Sequence, residues 1–358
     1  MPSHMVLKLM KKISIHKIPR LLKKKVLEAP SRITNETVAE HREQIIAGGR
    51  RFKYPVQYAR HKLVFNAVII VLISFILLVL IGLQQLYIAQ NSSVFMYRIT
   101  QIIPAPVATI ANEPVRYSDY LMQYRGLEHY LSKYDEIKMD SADGKAQLDH
   151  YRRESLNKAI AEAYAAKIAR EKGVTVTDKD VDAVIEQQLN TANGRISQET
   201  YDASSMMIYG WDKDEYRQAF SRSLLRAKVA FAVDDQAKAK ADKIGEQVKA
   251  GKSFDEIAAA ETDKSETRAT AGTSTLVSTS STFNGLNVSD IAKLQKDVAS
   301  GALQSATGDG YFFVKVIEKT DTQVNFQYIH IPLTVFSAQI AELKKSGQIH
   351  EFIKIPEA

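Results

Sequence analysis

An uncharged run of 21 residues, Leu63 to Leu83 (LVFNAVIIVLISFILLVLIGL), constrains this chain more than any other feature. As a helix rising ~1.5 Å per residue it would span about 31 Å, the hydrocarbon thickness of a bilayer. A soluble helix of that length needs a polar face, yet Asn66 and Ser74 are the only strongly polar side chains in the run. Inside lipid a single segment must satisfy its own backbone, and a helix does so. The run therefore predicts a transmembrane helix over residues 63–87, with Gln84, Gln85 and Tyr87 at the far interface. It exceeds the ~7–15 residue apolar stretch of a cleaved signal peptide. Its exit, Tyr87 to Asn91, lacks an A-x-A site, so an uncleaved signal anchor is expected.

Charge sets the expected orientation. Before the span, fifteen lysines and arginines oppose four glutamates, a surplus of eleven on a chain whose total is +7. The remainder is net acidic. The positive-inside rule then places residues 1–62 in the cytoplasm as a basic tail and the rest outside the cell membrane. The high pI belongs to that tail and gives no reason to expect nucleic acid as a partner. Lys23-Lys24-Lys25 and Arg50-Arg51 read either as a site for anionic lipid headgroups or as a solvated topogenic segment. Pro19, Pro30 and the Gly48-Gly49 pair argue against one continuous helix in the tail, leaving short helices around Lys8–Lys17 and Thr34–Ile46. The chain has no cysteine, which excludes disulfides, thiol catalysis and cysteine metal sites.

Beyond the span, residues 88–106 read as a juxtamembrane linker. Ile88 to Ile103 could prolong the membrane helix until Pro104 and Pro106 stop it. Val107 to Val115 gives a short β-favouring run with a turn at Ala111-Asn112-Glu113-Pro114, then a helix opening at Ser118. Leu156, Ile160, Ala163, Tyr164 and Ile168 recur at helical spacing, and Gly173 closes that helix. Thr177 with Asp180, and Asp212 with Glu215, have the spacing of capping boxes. Between them Val181, Val184, Ile185 and Leu189 mark one helix, and Ser197 opens another. Tyr216, Phe220, Leu224, Ala227 and Phe231 form the stripe of the last.

This succession resembles the SurA/PrsA family of extracytoplasmic chaperones and foldases. That family opens its mature domain with V-A-x-V-N-G-x-x-I, then a serine or threonine cap and a helix. Here Val107 and Ala108 match, Ile110 and Val115 are close substitutes, and Ala111-Asn112 replaces the usual Asn-Gly. The run E-K-G-V-T-V-T-D-K-D-V-D-A-V-I is similar to the family's helix-link-helix. The resemblance implies a helical chaperone domain over 107–233, joined by a C-terminal strand-helix-strand over 321–358 that returns to it.

Residues 234–320 resemble a parvulin-type prolyl isomerase domain. K-A-G-K-S-F-D-E-I-A-A-A-E-T-D is similar to one of its helical passages, and G-D-G-Y-F-F-V-K-V-I-E is close to its final strand. The fold expected overall is mainly α with a smaller α+β lobe and one N-terminal transmembrane helix. Within the lobe a strand near Val229–Val233 would come first, Ser289 would start a helix running to about Ala299, and Phe326–Ile331 would form a strand. The parvulin family carries a pair of histidines across the sheet beneath a proline pocket. No histidine lies between 231 and 320, and Phe312 stands at the final-strand position. Phe283 and Leu286 are imperfect substitutes for the pocket wall. His330 reads either as an ordinary strand residue or as the histidine of a parvulin first strand. The lobe is expected to be a degenerate rotamase with little or no isomerase activity.

Tyr201, Met206, Met207, Tyr209 and Trp211 crowd between two helices. They read either as an adaptable apolar surface for client chains or as the filling of a helix junction. No Walker A, H-E-x-x-H or G-x-S-x-G motif is present, and no metal or cofactor is expected. Acidic residues on the helices read as solvated faces. The function expected is a membrane-anchored chaperone that binds unfolded or newly exported polypeptides without ATP. The alternatives are an active prolyl isomerase and an adaptor that holds one envelope partner.

Overall fold

The structure is a computed structural model that describes residues 34–53, 55–134, 138, 141–191, 193–261 and 266–356. The expected helix at Lys8–Lys17 and the Lys23-Lys24-Lys25 cluster lie outside these residues, as do the side chains of Arg50 and Arg51. The chain divides into two units, after Leu78.

In the first unit, α1 runs from Asn35 to Lys53. It passes through the Gly48-Gly49 pair that was expected to break it; each glycine costs a helix only about 1 kcal/mol. Helix α2, Pro55–Leu83, begins on a proline, whose fixed φ suits the first helical position. Its side chains from Leu63 to Ile81 are exposed on every side. The stretch His61–Ile88 is long and apolar enough to cross a membrane.

The second unit begins with the end of that helix. Gln84–Ile88 forms one wide π-turn, closed by Ala89 N donating to Gln84 O at 2.9 Å. The turn carries Leu86 into the domain core, 6% exposed. Tyr117 Oη donates to Leu86 O at 2.6 Å, and Tyr87 Oη donates to Pro106 O at 2.7 Å. The chain then reverses at Gln90 (φ 48°), and Asn91 Oδ1 accepts from Ser93 N. Ser93 caps a separate helix α3, Val94–Ile102. Helix α2 is therefore not prolonged to Ile103. Asn91, Ser92 and Ser93 offer the backbone local hydrogen bonds that compete with helix. Nor is 88–106 a free linker, since Met96, Tyr97 and Thr100 are buried in the domain.

Strands β1 (Pro106–Ile110) and β2 (Glu113–Arg116) form a hairpin. Its two turn residues, Ala111 and Asn112, both have positive φ, 46° and 65°. That is the turn hand that suits strand twist. An alanine there costs about 1–2 kcal/mol relative to the right-handed region. Lys167 Nζ donates to Ala111 O at 3.1 Å and helps hold it. Helix α4, Tyr117–Tyr134, follows at once. Ser118 is inside its first turn, donating to Asp119 Oδ1, so it is not the expected cap.

Helix α5, Ala142–Lys172, spans 31 residues and ends on left-handed Gly173. Helix α6, Asp178–Gln188, opens with the Thr177–Asp180 capping box. A small hairpin follows, β3 (Asn190–Thr191) with β4 (Gly194–Arg195). Helix α7, Gln198–Tyr209, is capped by Ser197, and α8, Lys213–Val233, by the Asp212–Glu215 box. The core of this domain joins Val107, Ile110, Tyr117, Tyr120, Leu156 and Ile160.

The lobe is inserted between α8 and the C-terminal segment. Helices α9 (Asp235–Lys249) and α10 (Phe254–Ala260) come first, the latter with a Ser253–Glu256 capping box. The sheet contains β5 (Thr270–Thr273), β6 (Val277–Ser278), β9 (Leu303–Gln304), β10 (Gly310–Lys319) and β11 (Gln323–Pro332), in the order β5-β11-β10-β9 with β6 also on β11. Alternation along β10 and β11 builds two layers. Tyr311, Phe313, Ile329 and Ile331 face α9 and α10. Phe312, Val314, Val324 and Phe326 face the hairpin β7 (Thr282–Phe283) and β8 (Leu286–Asn287) and helix α11, Val288–Ala292.

Three expectations for the lobe change. Residues 229–233 are the end of α8, not a first strand. Helix α11 stops at Ala292 rather than Ala299, because Lys296 and Ala299 bridge to Val316 and Lys315 on β10. Strand β11, assigned by sequence to the returning segment 321–358, is an inner strand of the lobe's sheet. The chain returns to the helical domain only after it. Helix α12, Val335–Lys345, places Phe336 in a cluster with Ala165, Val229 and Ala230. Strand β12, Ile349–Glu351, pairs with the free edge of β1.

Candidate functional site

Four of the five residues expected between two helices, Tyr201, Met206, Met207 and Tyr209, lie on α7 itself, and only Trp211 lies between α7 and α8; the five divide into two groups. Tyr201 packs edge-on against Tyr216 at 5.3 Å. Trp211 Nε1 donates to Met122 O at 3.1 Å, and its ring lies over Gly126, where a Cβ would come within 2.9 Å of it. These two fill the helix junction. Met206, Met207 and Tyr209 are exposed at 49%, 55% and 41%. Two tyrosines of α4, spaced i,i+4, continue this surface. Ring centroids are 5.5 Å apart between Tyr134 and Tyr130, 6.5 Å between Tyr130 and Tyr209, and 5.2 Å between Tyr209 and Trp211. His129 Nε2 donates to Met207 O at 3.0 Å and fixes the end of α7 to α4. Tyr130 and Tyr134 were not singled out from sequence; their helical spacing was the available signal.

Beside this surface, helices α4, α5, α7 and α8 line a partly open cavity of about 400 Å³, with Gln123, Ser155, Lys158, Tyr201, Tyr209 and Phe220 among its walls. Lys158 Nζ donates to Gln123 Oε1 at 2.9 Å. Burial pulls the Lys158 ammonium below the usual lysine range. One turn along α5, Glu162 is 6% exposed, and neither carboxylate oxygen has a hydrogen-bond partner among the described residues. Burial raises its pKa, against the pull of Lys158, Arg222 and Arg226. The reading of acidic helix positions as solvated fails at this residue. A carboxyl with a raised folded pKa binds its proton more tightly than the unfolded chain does. It stabilises the fold at low pH, and that contribution is lost as pH climbs from the ordinary glutamate range through the raised value. Glu162→Gln is therefore expected to raise the Tm by a few degrees at about pH 8, the gain closing by about pH 4. Thermal unfolding of the full chain across that range checks this.

The lobe's candidates come together on one face of its sheet. Phe312 and His330 are direct cross-strand partners, and their rings stack at 4.5 Å and 17°. Phe283 meets Tyr328 and Phe326 edge-on, each at 5.1 Å. Leu286 is buried opposite Phe283 in the hairpin. His330 Nε2 donates to Asp309 O at 3.1 Å, and Tyr328 fills the space over Gly272, where a Cβ would be 2.6 Å from its hydroxyl. Phe312 is wholly buried and has no proton to exchange. Sequence order had separated His330 from this face.

Comparison with curated proteins and with solved structures finds no match. A family model does match, from within α2 to the last turn of α8. Residues 57–230 of this chain match the model of a SurA-like N-terminal domain.

Proposed function

We propose that this protein is a membrane-anchored chaperone that holds unfolded, exported polypeptides by reversible apolar contact, without ATP. The observation that carries the reading is the exposed Met206, Met207, Tyr209, Tyr130 and Tyr134 surface on a SurA-like domain. Methionine adapts to varied side chains, and tyrosine presents a broad apolar face at small conformational cost. The basic tail favours the cytoplasmic side for residues 1–62 and the outer side for the domains.

The lobe fits a parvulin-like fold in which the strand bearing His330 comes last. The family's histidines face each other across the sheet, and here the two facing positions hold His330 and Phe312. With one partner a buried phenylalanine, the lobe serves binding and not isomerisation. The test uses the full chain in lipid vesicles. At a near-stoichiometric ratio it should suppress aggregation of an unfolding model protein, and Met207→Glu with Tyr209→Glu should remove most of that effect. The slow proline phase of refolding, ~10–100 s uncatalysed, should keep its rate. Failure to suppress aggregation would refute the chaperone reading. Acceleration of the slow phase, lost in His330→Ala, would establish the isomerase instead.

A further inference from the structure

We propose that helix α3 is a bilayer-seated helix, which buries its open apolar face at the headgroup boundary. This rests on the reading that Leu63–Leu83 spans a bilayer, and not on the chaperone reading.

Helix α3 has two unlike faces. Met96, Tyr97 and Thr100 are buried in the domain. Val94, Phe95, Arg98 and Ile102 recur at i, i+1, i+4 and i+8, which places them together on the other side. Phe95 is 70% exposed and Ile102 83%, with Val94, Ile103 and the preceding Ile88 also open. So many large apolar side chains in so short a stretch call for a cover.

What covers them follows from the attachment of the span. Leu86, the third residue after the apolar run ends at Leu83, is already in the core shared with Met96 and Tyr97. The π-turn, the bonds from Tyr117 and Tyr87, and Gln90 Nε2 donating to Lys354 O at 2.8 Å tie residues 84–90, which follow the apolar run, into the domain. Only five residues separate Ile88 from Val94, so the start of α3 lies within about 20 Å of the end of the span even if those residues were extended. They are not fully extended, since Gln90 is left-handed (φ 48°). If Leu63–Leu83 spans a bilayer, the open face of α3 therefore starts close to where the chain leaves it. An amphipathic helix there buries its apolar side at the headgroup boundary. Arg98 sits in the middle of that face, its side chain 53% exposed and paired with Asp212 at 3.4 Å and Glu215 at 3.6 Å.

The chain's lack of cysteine permits a direct test. Single cysteines replace Phe95, Ile102, Leu77 and Met207 in the full chain, each carrying a nitroxide label. The proteins are reconstituted in vesicles of phosphatidylethanolamine and phosphatidylglycerol. Collision with oxygen, which enriches in lipid, is compared with collision with a water-soluble nickel chelate. Labels at 95 and 102 should be several-fold less accessible to the chelate than the label at 207, enriched in oxygen, and shallower than the label at 77. Chelate access at 95 and 102 equal to that at 207 would overturn the proposal. Shielding without oxygen enrichment would also overturn it, pointing to a protein cover such as a second copy. A label at 77 that sits in water would refute the span itself, and the seat with it.

Discussion

Asp234→Ala should cost about 3–5 kcal/mol, an unusually large loss for removing one small side chain. The carboxylate is 1% exposed and sits where α8 ends and α9 begins. Oδ1 accepts from Ala237 N at 2.9 Å and so caps α9. Oδ2 accepts from Thr334 N at 2.8 Å and Val335 N at 3.1 Å, 100 and 101 residues away. Helix α12 has no cap from Thr334's own side chain, so Asp234 supplies it from across the structure. Alanine would strand three backbone donors at once, and each buried donor left without an acceptor costs about 1–3 kcal/mol. Urea unfolding of the full chain measures the loss. Asp235→Ala, one position on and exposed, should change stability by less than about 0.5 kcal/mol. If the two variants are alike, Asp234 does not join the segments as described.

Trp211→Ala separates the junction from the surface. Its indole fills the space over Gly126, bonds Met122 O and stacks on Tyr209. Loss of a packed tryptophan typically costs about 3–5 kcal/mol, and because Trp211 is only partly buried the lower end is expected. Met207→Ala touches an exposed side chain and should leave stability within about 0.5 kcal/mol. The same Met207 variant should nonetheless weaken protection of an unfolding client. If Trp211→Ala leaves the unfolding midpoint in place, the indole does not hold α4 against the α7–α8 corner, and both halves of this division fall.

The parts of the fold that were legible in the sequence are those fixed by neighbours in the chain. Thr177 with Asp180, Asp212 with Glu215 and Ser253 with Glu256 each form the capping box that their spacing predicts, because both partners lie within one helical turn. Gly173 closes α5 for a similarly local reason. The uncharged run from Leu63 needs only its own composition to declare a membrane-length helix. What was not legible depends on partners distant in sequence. The alternation of Phe326 to Ile331 announces a strand, but nothing in it says that β11 lies between β10 and β5. That placement brings His330 onto Phe312. Glu162 looks like any solvated glutamate until α4 and α8 close over it. The π-turn at Gln84 has no residue signature; it exists because Leu86 and Tyr87 find partners in the domain core.

The order of elements also sets a schedule for biogenesis. The lobe's helices and sheet lie within residues 235–332, one contiguous stretch that can assemble while synthesis continues. The helical domain cannot. Its β1 is made before residue 111, yet the strand that covers its second edge spans residues 349–351, and Ile353 and Ile355 are part of its core. For some 240 residues of elongation that edge has no native strand to pair with, and an unpaired edge is a template for intermolecular pairing. A protein proposed to guard unfinished chains thus has a helical domain that is itself unfinished until Ile355 is made. Shortening the chain to residue 347 should consequently do more damage than its small loss of mass suggests.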